Sequence, residues 1–245
     1  MKLIKSGILL CLILLTNHLT IYGIDLEEVP QTIPSSGHDP LFISLGADCT
    51  PAGMIQYFGK RNAAFPLDWI LTLDEDAVIQ LLGNNFQDFT NKEFLVRHPI
   101  NPTKLVHTHY HIEFIHDLSA QCWENPILYD EKIKKMQMKY QRRIARFQQL
   151  ANHTGPVIFI RLLLPQYLPE EIFWFDYPLN KNEKESSVKW YETLRNLFPI
   201  LDFKLIVVKK TETQNKIEFF DKIIVCYLSN IGLHSNWETL LNLKY

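Results

Sequence analysis

Four stretches of the chain are continuously apolar and rich in β-branched or aromatic residues: LFISLG at 41–46, VIFIRLLL at 157–164, FKLIVV at 203–208 and IIVCYL at 223–228. Unbroken apolar runs of this length predict strands buried on both faces, as in a mainly parallel sheet. Between them the apolar spacing changes to threes and fours. Ile133, Met136, Tyr140, Ile144, Phe147 and Leu150 mark one face of a helix over about 130–152, with acidic residues at its start and Gly155 beyond its end. Ser186 or Ser187 is placed to cap another helix that buries Val188, Tyr191, Leu194 and Leu197, and Asp74 to cap a third through Val78, Leu81 and Leu82. Strands alternating with helices predict an α/β fold: a layered, mainly parallel sheet flanked by helices.

One segment alternates instead. In LVHTHYHIEFIHD, Val106, Thr108, Tyr110, Ile112 and Phe114 interleave with His107, His109, His111 and Glu113, which predicts a single half-buried strand with a polar, histidine-rich face. His116 then falls on the apolar side, at or just past the strand end. Along such a strand His107 and His111 would stand about 13 Å apart, too far to share one ion, so the row reads as a solvated face and not as a metal site.

The N-terminus carries a different pattern. Lys2 and Lys5 precede the uncharged run Ser6 to Thr16, and Gly23 is a small residue near a plausible cleavage point, so residues 1–23 read as a signal peptide. Residues 24–40, rich in proline, serine and acid, read as an exposed leader, and 41–245 as one domain. The expected location is therefore secreted or periplasmic, with a membrane partner only if the N-terminal segment stays attached. With a net charge of −2 and no basic stripe, nucleic acid is not an expected partner. The absence of a glycine-rich phosphate loop or dinucleotide fingerprint argues against a nucleotide cofactor, and no cofactor is expected.

Removing the signal segment leaves Cys49, Cys122 and Cys226, an odd number, so at least one thiol stays unpaired. Cys226, inside an apolar run, reads as a small buried hydrophobe. Cys49 is placed differently. It follows the first strand through Gly46, Ala47 and Asp48, and Pro51 two residues later suits the first turn of a helix. Ligand-binding and reactive groups gather beyond the carboxyl ends of strands in such sheets, and a helix N-terminus favours thiolate, so a lowered thiol pKa is the expectation. A structural cysteine packed under the first helix accounts for the same letters. A thiol nucleophile needs a base, and His116, followed by Asp117 at a strand end, is the candidate placed for it. Asp68 and Trp69 in FPLDWI fit either a site or a closed loop. Arg161, within an apolar strand, requires a partner if buried, and Arg142, Arg143 and Arg146 fit the wet face of the long helix.

The stretch ISLGADCTPAGMIQYFGKRNAAFPLDWI, then NNFQDF at 84–89, FIHDL at 114–118, RRIARF at 142–147 and VIFIR at 157–161 resembles a mostly bacterial family described as "putative papain-like cysteine peptidases". In that family a Ser-Leu-Gly…Cys motif precedes Pro-Phe-Asp-Trp and a later His-Asp-Phe. The resemblance covers about residues 41–165. It implies Cys49 as nucleophile, His116 as base, Asp117 or Asp68 as the orienting carboxylate, and a peptide or other acyl compound as substrate. Leu67 and Leu118 replace the phenylalanines of the two later motifs, which bears on pocket shape. Papain-like enzymes set a helical lobe against an antiparallel barrel-like lobe, whereas the residue pattern here predicts a layered sheet. A nucleophile directly after a first strand is also similar to the SGNH-like esterases and acyltransferases, with cysteine in place of serine. A secreted binding domain that keeps the scaffold without activity is the non-enzymatic alternative.

Overall fold

The computed structural model describes residues 39–163, 183–211 and 213–243. The expected signal peptide, all but the last two residues of the expected leader, and Leu164 lie outside the described residues.

The four continuous apolar runs form strands β1 (Leu41–Ser44), β6 (Val157–Leu163), β7 (Phe203–Lys210) and β9 (Ile223–Leu228). They pair in parallel, with Leu41 opposite Val157, Val157 opposite Phe203 and Leu205 opposite Ile223. A fifth strand, β8 (Lys216–Phe220), adds antiparallel to β9, giving the order β1-β6-β7-β9-β8. The α/β class with a mainly parallel sheet is thus the observed architecture. Successive side chains along each strand point to opposite faces and so enter two separate cores. Ile43, Phe159, Leu205 and Val225 face one core with Trp190 and Phe147; Phe42, Ile158, Ile206 and Cys226 face the other with Trp237 and Ile55. Each fully buried aliphatic side chain of this kind stabilises the fold by about 1.5–3 kcal/mol relative to exposure.

Among the described residues the α-helices are α1 (Thr50–Tyr57), α2 (Glu75–Gly83), α3 (Pro126–Gln148), α4 (Glu183–Leu197) and α5 (His234–Leu241). Asp74 caps α2 by accepting from the N–H of Ala77, and Val78, Leu81 and Leu82 are buried as their spacing predicts. Helix α3 begins earlier than its periodicity suggests, because Asn125 accepts from Ile127 and Leu128 and Pro126 fits the first turn. The expected cap of α4 is overturned. Ser186 and Ser187 lie inside that helix and are buried, Trp190 and Leu194 form its inner face, and Val188 is exposed.

A second sheet was not predicted as such. Strands β2 (Ile70–Thr72), β3 (Leu95–Arg97), β4 (Leu105–His107) and β5 (Ile112–Phe114) form an antiparallel sheet in the order β2-β5-β4-β3. The histidine-rich segment is therefore two strands and not one. The ring of His107 folds back, its Nδ1 accepting from the N–H groups of His109 and Tyr110, while His111 adopts φ +52°. This turn replaces the solvated face: His107 is fully buried, its Nε2 donating to the carbonyl of Asp88.

Candidate functional site

The corner between β1 and α1 is built by three residues with special backbone or side-chain demands. Gly46 has φ +76°, and a Cβ there would lie 2.7 Å from Thr72 Oγ1, so glycine is required. Ala47 follows at φ +91°, a conformation that costs a non-glycine residue about 1–2 kcal/mol. Two hydrogen bonds to β2 hold it: Ala47 N–H donates to Thr72 Oγ1 at 3.1 Å, and Thr72 N–H donates to the Ala47 carbonyl at 2.8 Å. Arg161, on β6, locks the same corner from beneath. Its guanidinium, 1% exposed, donates to the Leu45 carbonyl, to Thr72 Oγ1 and to the Thr72 carbonyl, and approaches Glu75 at 4.0 Å. Burial lowers its pKa to about 10, with Glu75 and Asp48 opposing. The partner that a buried arginine requires is therefore Glu75 together with two carbonyls and a hydroxyl.

Cys49 stands at the N-cap of α1, and its Sγ lies 3.5 Å from Nε2 of His116. His116 comes two residues after β5, so the two groups are supplied by different sheets. Cys49 is 8% exposed and packs with Ala52, Trp69 and Ile115, whereas His116 is solvent-exposed on its outer side. The expected fall in the thiol pKa is overturned. Burial pushes the Cys49 thiol well above its ordinary value, Asp48 and Asp68 push it the same way, and Lys104 opposes them. A helix N-terminus is worth about 0.3–1 kcal/mol, whereas burying an anion costs several times that. Packing of the inner side of the His116 ring lowers its pKa, with Asp117 opposing and Lys139 adding to the fall. Both shifts favour the uncharged forms, thiol and neutral imidazole.

Neither of the two candidate orienting carboxylates bonds to that ring. Among the described residues Asp117 accepts from Lys139 and from the Tyr140 hydroxyl, tying the end of the second sheet to α3. Asp68 is buried and accepts from Arg61 at 2.9 Å and from the N–H of Phe65, closing the FPLDWI loop. Arg143 donates to the Asp68 carbonyl and Arg146 to that of Ala64, and both arginines are buried, which corrects their assignment to a wet face. The shape of the site thus depends on Arg61, which has no spacing relation to Asp68 that a sequence reader could use. The side-chain bond of Asp48 was also missed. Its side chain accepts from the N–H of Thr50 at 2.7 Å, and its Asp-x-Thr spacing is a legible signal for such a turn. Burial raises its pKa, the Thr50 bonds and Arg161 opposing.

The other titratable clusters are engaged elsewhere. Glu113 is buried between Lys104 at 2.7 Å and His98 at 3.7 Å, and His111 Nδ1 pairs with Asp74 at 2.8 Å. Cys122 and Cys226 are buried free thiols, the latter the small hydrophobe expected in its strand.

Comparison with known proteins places the chain in a family. A stretch of 138 residues, 51% of this chain, is 25% identical to uncharacterized protein R408 of Acanthamoeba polyphaga mimivirus and spans 62% of that protein's length. No solved structure matches. Residues 40–213, which contain the Cys49 corner, the FPLDWI loop and His116, match the family described as "putative papain-like cysteine peptidase (DUF1796)", and the chain belongs to that family.

Proposed function

We propose that this protein is a thiol hydrolase of peptidase type in which Cys49 is the nucleophile and His116 the base. The observation that carries the reading is the 3.5 Å approach of Sγ to Nε2 between residues 67 positions apart in sequence. Because both groups rest neutral, attack and proton transfer are coupled. As sulfur bonds to the carbonyl carbon, its proton passes to Nε2 and the carbonyl oxygen takes up negative charge. Collapse expels the leaving amine or alkoxide, which takes the proton back from His116. Asp117 favours the imidazolium formed on the way through its charge alone, and Asp68 acts as a positioning residue through the loop it closes. The N-terminal pattern supports export, which would place the activity outside the cytoplasm.

An esterase or acyltransferase reading rests on one observation, that the nucleophile directly follows the first strand of a mainly parallel sheet. Both readings pass through an acyl-enzyme on Cys49. Intact-mass analysis after exposure to p-nitrophenyl acetate tests that step. The wild-type chain should gain one acetyl group and Cys49→Ala none; equal labelling of the two rejects the assignment. Turnover of unmodified peptides in preference to simple esters then selects the peptidase reading.

A further inference from the structure

We propose that Trp69 is a catalytic residue, its indole Nε1–H donating to the oxyanion that forms when Cys49 attacks a carbonyl. This inference rests on the nucleophilic role of Cys49 given above.

The corner has few donors left for such an oxygen. Gly46 N–H is bonded to Ser44 Oγ, Ala47 N–H to Thr72 Oγ1 and Thr50 N–H to Asp48 Oδ1, and residue 51 is proline. Among the described residues, the backbone N–H groups of Asp48 and Cys49 alone remain unbonded over positions 46–50. Trp69 adds a third free donor. The residue is 4% exposed, yet its Nε1 has no hydrogen-bond partner among the described residues. Buried donors are nearly always paired, so an orphan beside a candidate nucleophile requires an explanation, and a ligand oxygen supplies one.

The indole is also held beside the candidate pair. It belongs to the same small cluster as Cys49 and Ala52, and its ring meets that of His116 edge-on at 6.5 Å between centroids. Its backbone sits at φ +64°, a strained conformation for so large a residue. Strain of this kind persists only where neighbours enforce it. Here Asp68 binds Arg61 and the Phe65 N–H, Arg143 binds the Asp68 carbonyl, and the Arg61 guanidinium lies over the indole at 5.2 Å. A cation over the ring draws electron density from it and strengthens the N–H as a donor. In the reaction, the S–C bond forms while the C=O π pair moves onto oxygen, which accepts from Nε1–H and from the Cys49 N–H. The same pair re-forms the carbonyl when the leaving group departs with the His116 proton.

The test compares two reactions of Cys49 in the full chain. Acylation by p-nitrophenyl acetate passes through an oxyanion, whereas alkylation by iodoacetamide does not. Both rates are measured with tryptophan, with Trp69→Phe, and with 3-benzothienylalanine at 69, which keeps the indole shape and lacks only the N–H. Acylation about a hundredfold slower in both variants, with alkylation within about twofold of wild type, is the expected result. Unchanged acylation overturns the inference. A parallel fall in both reactions also overturns it, because Trp69 then acts by packing around the sulfur. A wild-type protein that alkylates but does not acylate rejects the nucleophilic reading itself, and this inference with it.

Discussion

Cys49 and His116 face each other across a seam between two sheets: the cysteine ends the corner after β1 of the parallel sheet, and the histidine follows β5 of the antiparallel one. Thr72 of β2 joins the two, since it is hydrogen-bonded to Ala47 on one side and is paired with Ile112 of β5 on the other. The relative position of sulfur and imidazole therefore follows from the strand pairing and from the Arg161 contacts.

In the proposed mechanism, removing His116 leaves the thiol with no group to take its proton. His116→Ala should slow acylation of Cys49 by about a hundredfold to ten-thousandfold, the usual contribution of a general base. Stopped-flow release of p-nitrophenol measures it, and a change under about threefold would remove His116 from the mechanism.

The direction of the thiol shift sets the pH dependence of alkylation. Because the Cys49 pKa lies above its ordinary value, thiolate is a minor form at neutral pH and grows as pH rises. The iodoacetamide rate should climb steadily from neutral pH through the alkaline range. A plateau spanning about pH 5 to pH 8 would instead reveal a preformed thiolate–imidazolium pair.

Four histidines set the acid side of stability. Burial lowers the pKa values of His98, His107, His116 and His153 below the ordinary 6.5. The unfolded chain then binds more protons than the folded one once pH falls below about 6.5, so stability is lost as pH drops through that value toward the folded pKa values. Asp48, raised from 3.8, acts in the opposite sense at lower pH. The urea midpoint should be lower at about pH 5.5 than at about pH 7.5; a midpoint that rises on acidification refutes the sign.

Arg161→Met removes the guanidinium that ties β6 to Leu45 and Thr72 and leaves Glu75 and two carbonyls without that partner. The cost should be about 3–5 kcal/mol in urea unfolding. Arg161→Lys should not recover it, because a single ammonium cannot reproduce the planar fork that reaches two carbonyls and a hydroxyl.

Gly46→Ala meets both a left-handed backbone and Thr72 Oγ1 at 2.7 Å. A loss of more than about 1–2 kcal/mol is expected. Acylation of Cys49 should slow in the same variant, since the clash displaces the corner that carries the sulfur; full reactivity in a stably folded Gly46→Ala protein would contradict this account.

The parts of this fold that sequence reading reached are those with dense local signals. Continuous apolar runs located β1, β6, β7 and β9 to within a few residues, and Asp74 marked its helix by a side-chain cap. Strand β8 was missed because KIEFF is half-exposed at a sheet edge and gives neither a continuous run nor a clean alternation. The histidine-rich segment misled for a physical reason. Its alternation continues through a turn made by His107 bonding its own neighbours, and period alone does not register a side chain that substitutes for a strand.

At the candidate site, the closeness of Cys49 and His116 was legible from residue type, position after a strand and motif order. The thiol pKa was not, because burial depends on Trp69, Ala52 and Ile115 packing from several elements. The arginines of RRIARF were misplaced for the same reason: their carbonyl partners at Ala64 and Asp68 come from a loop some eighty positions earlier.

In the proposed mechanism, the Thr72 seam makes the chemistry at position 49 a reporter of alignment. Thr72→Val would delete the hydroxyl stitch while both sheets keep their own ladders, so the halves could slip by a fraction of an ångström without unfolding. Acyl transfer would fade before any loss of circular dichroism, and the sulfur would serve as a gauge of how tightly the two halves of the molecule are laced.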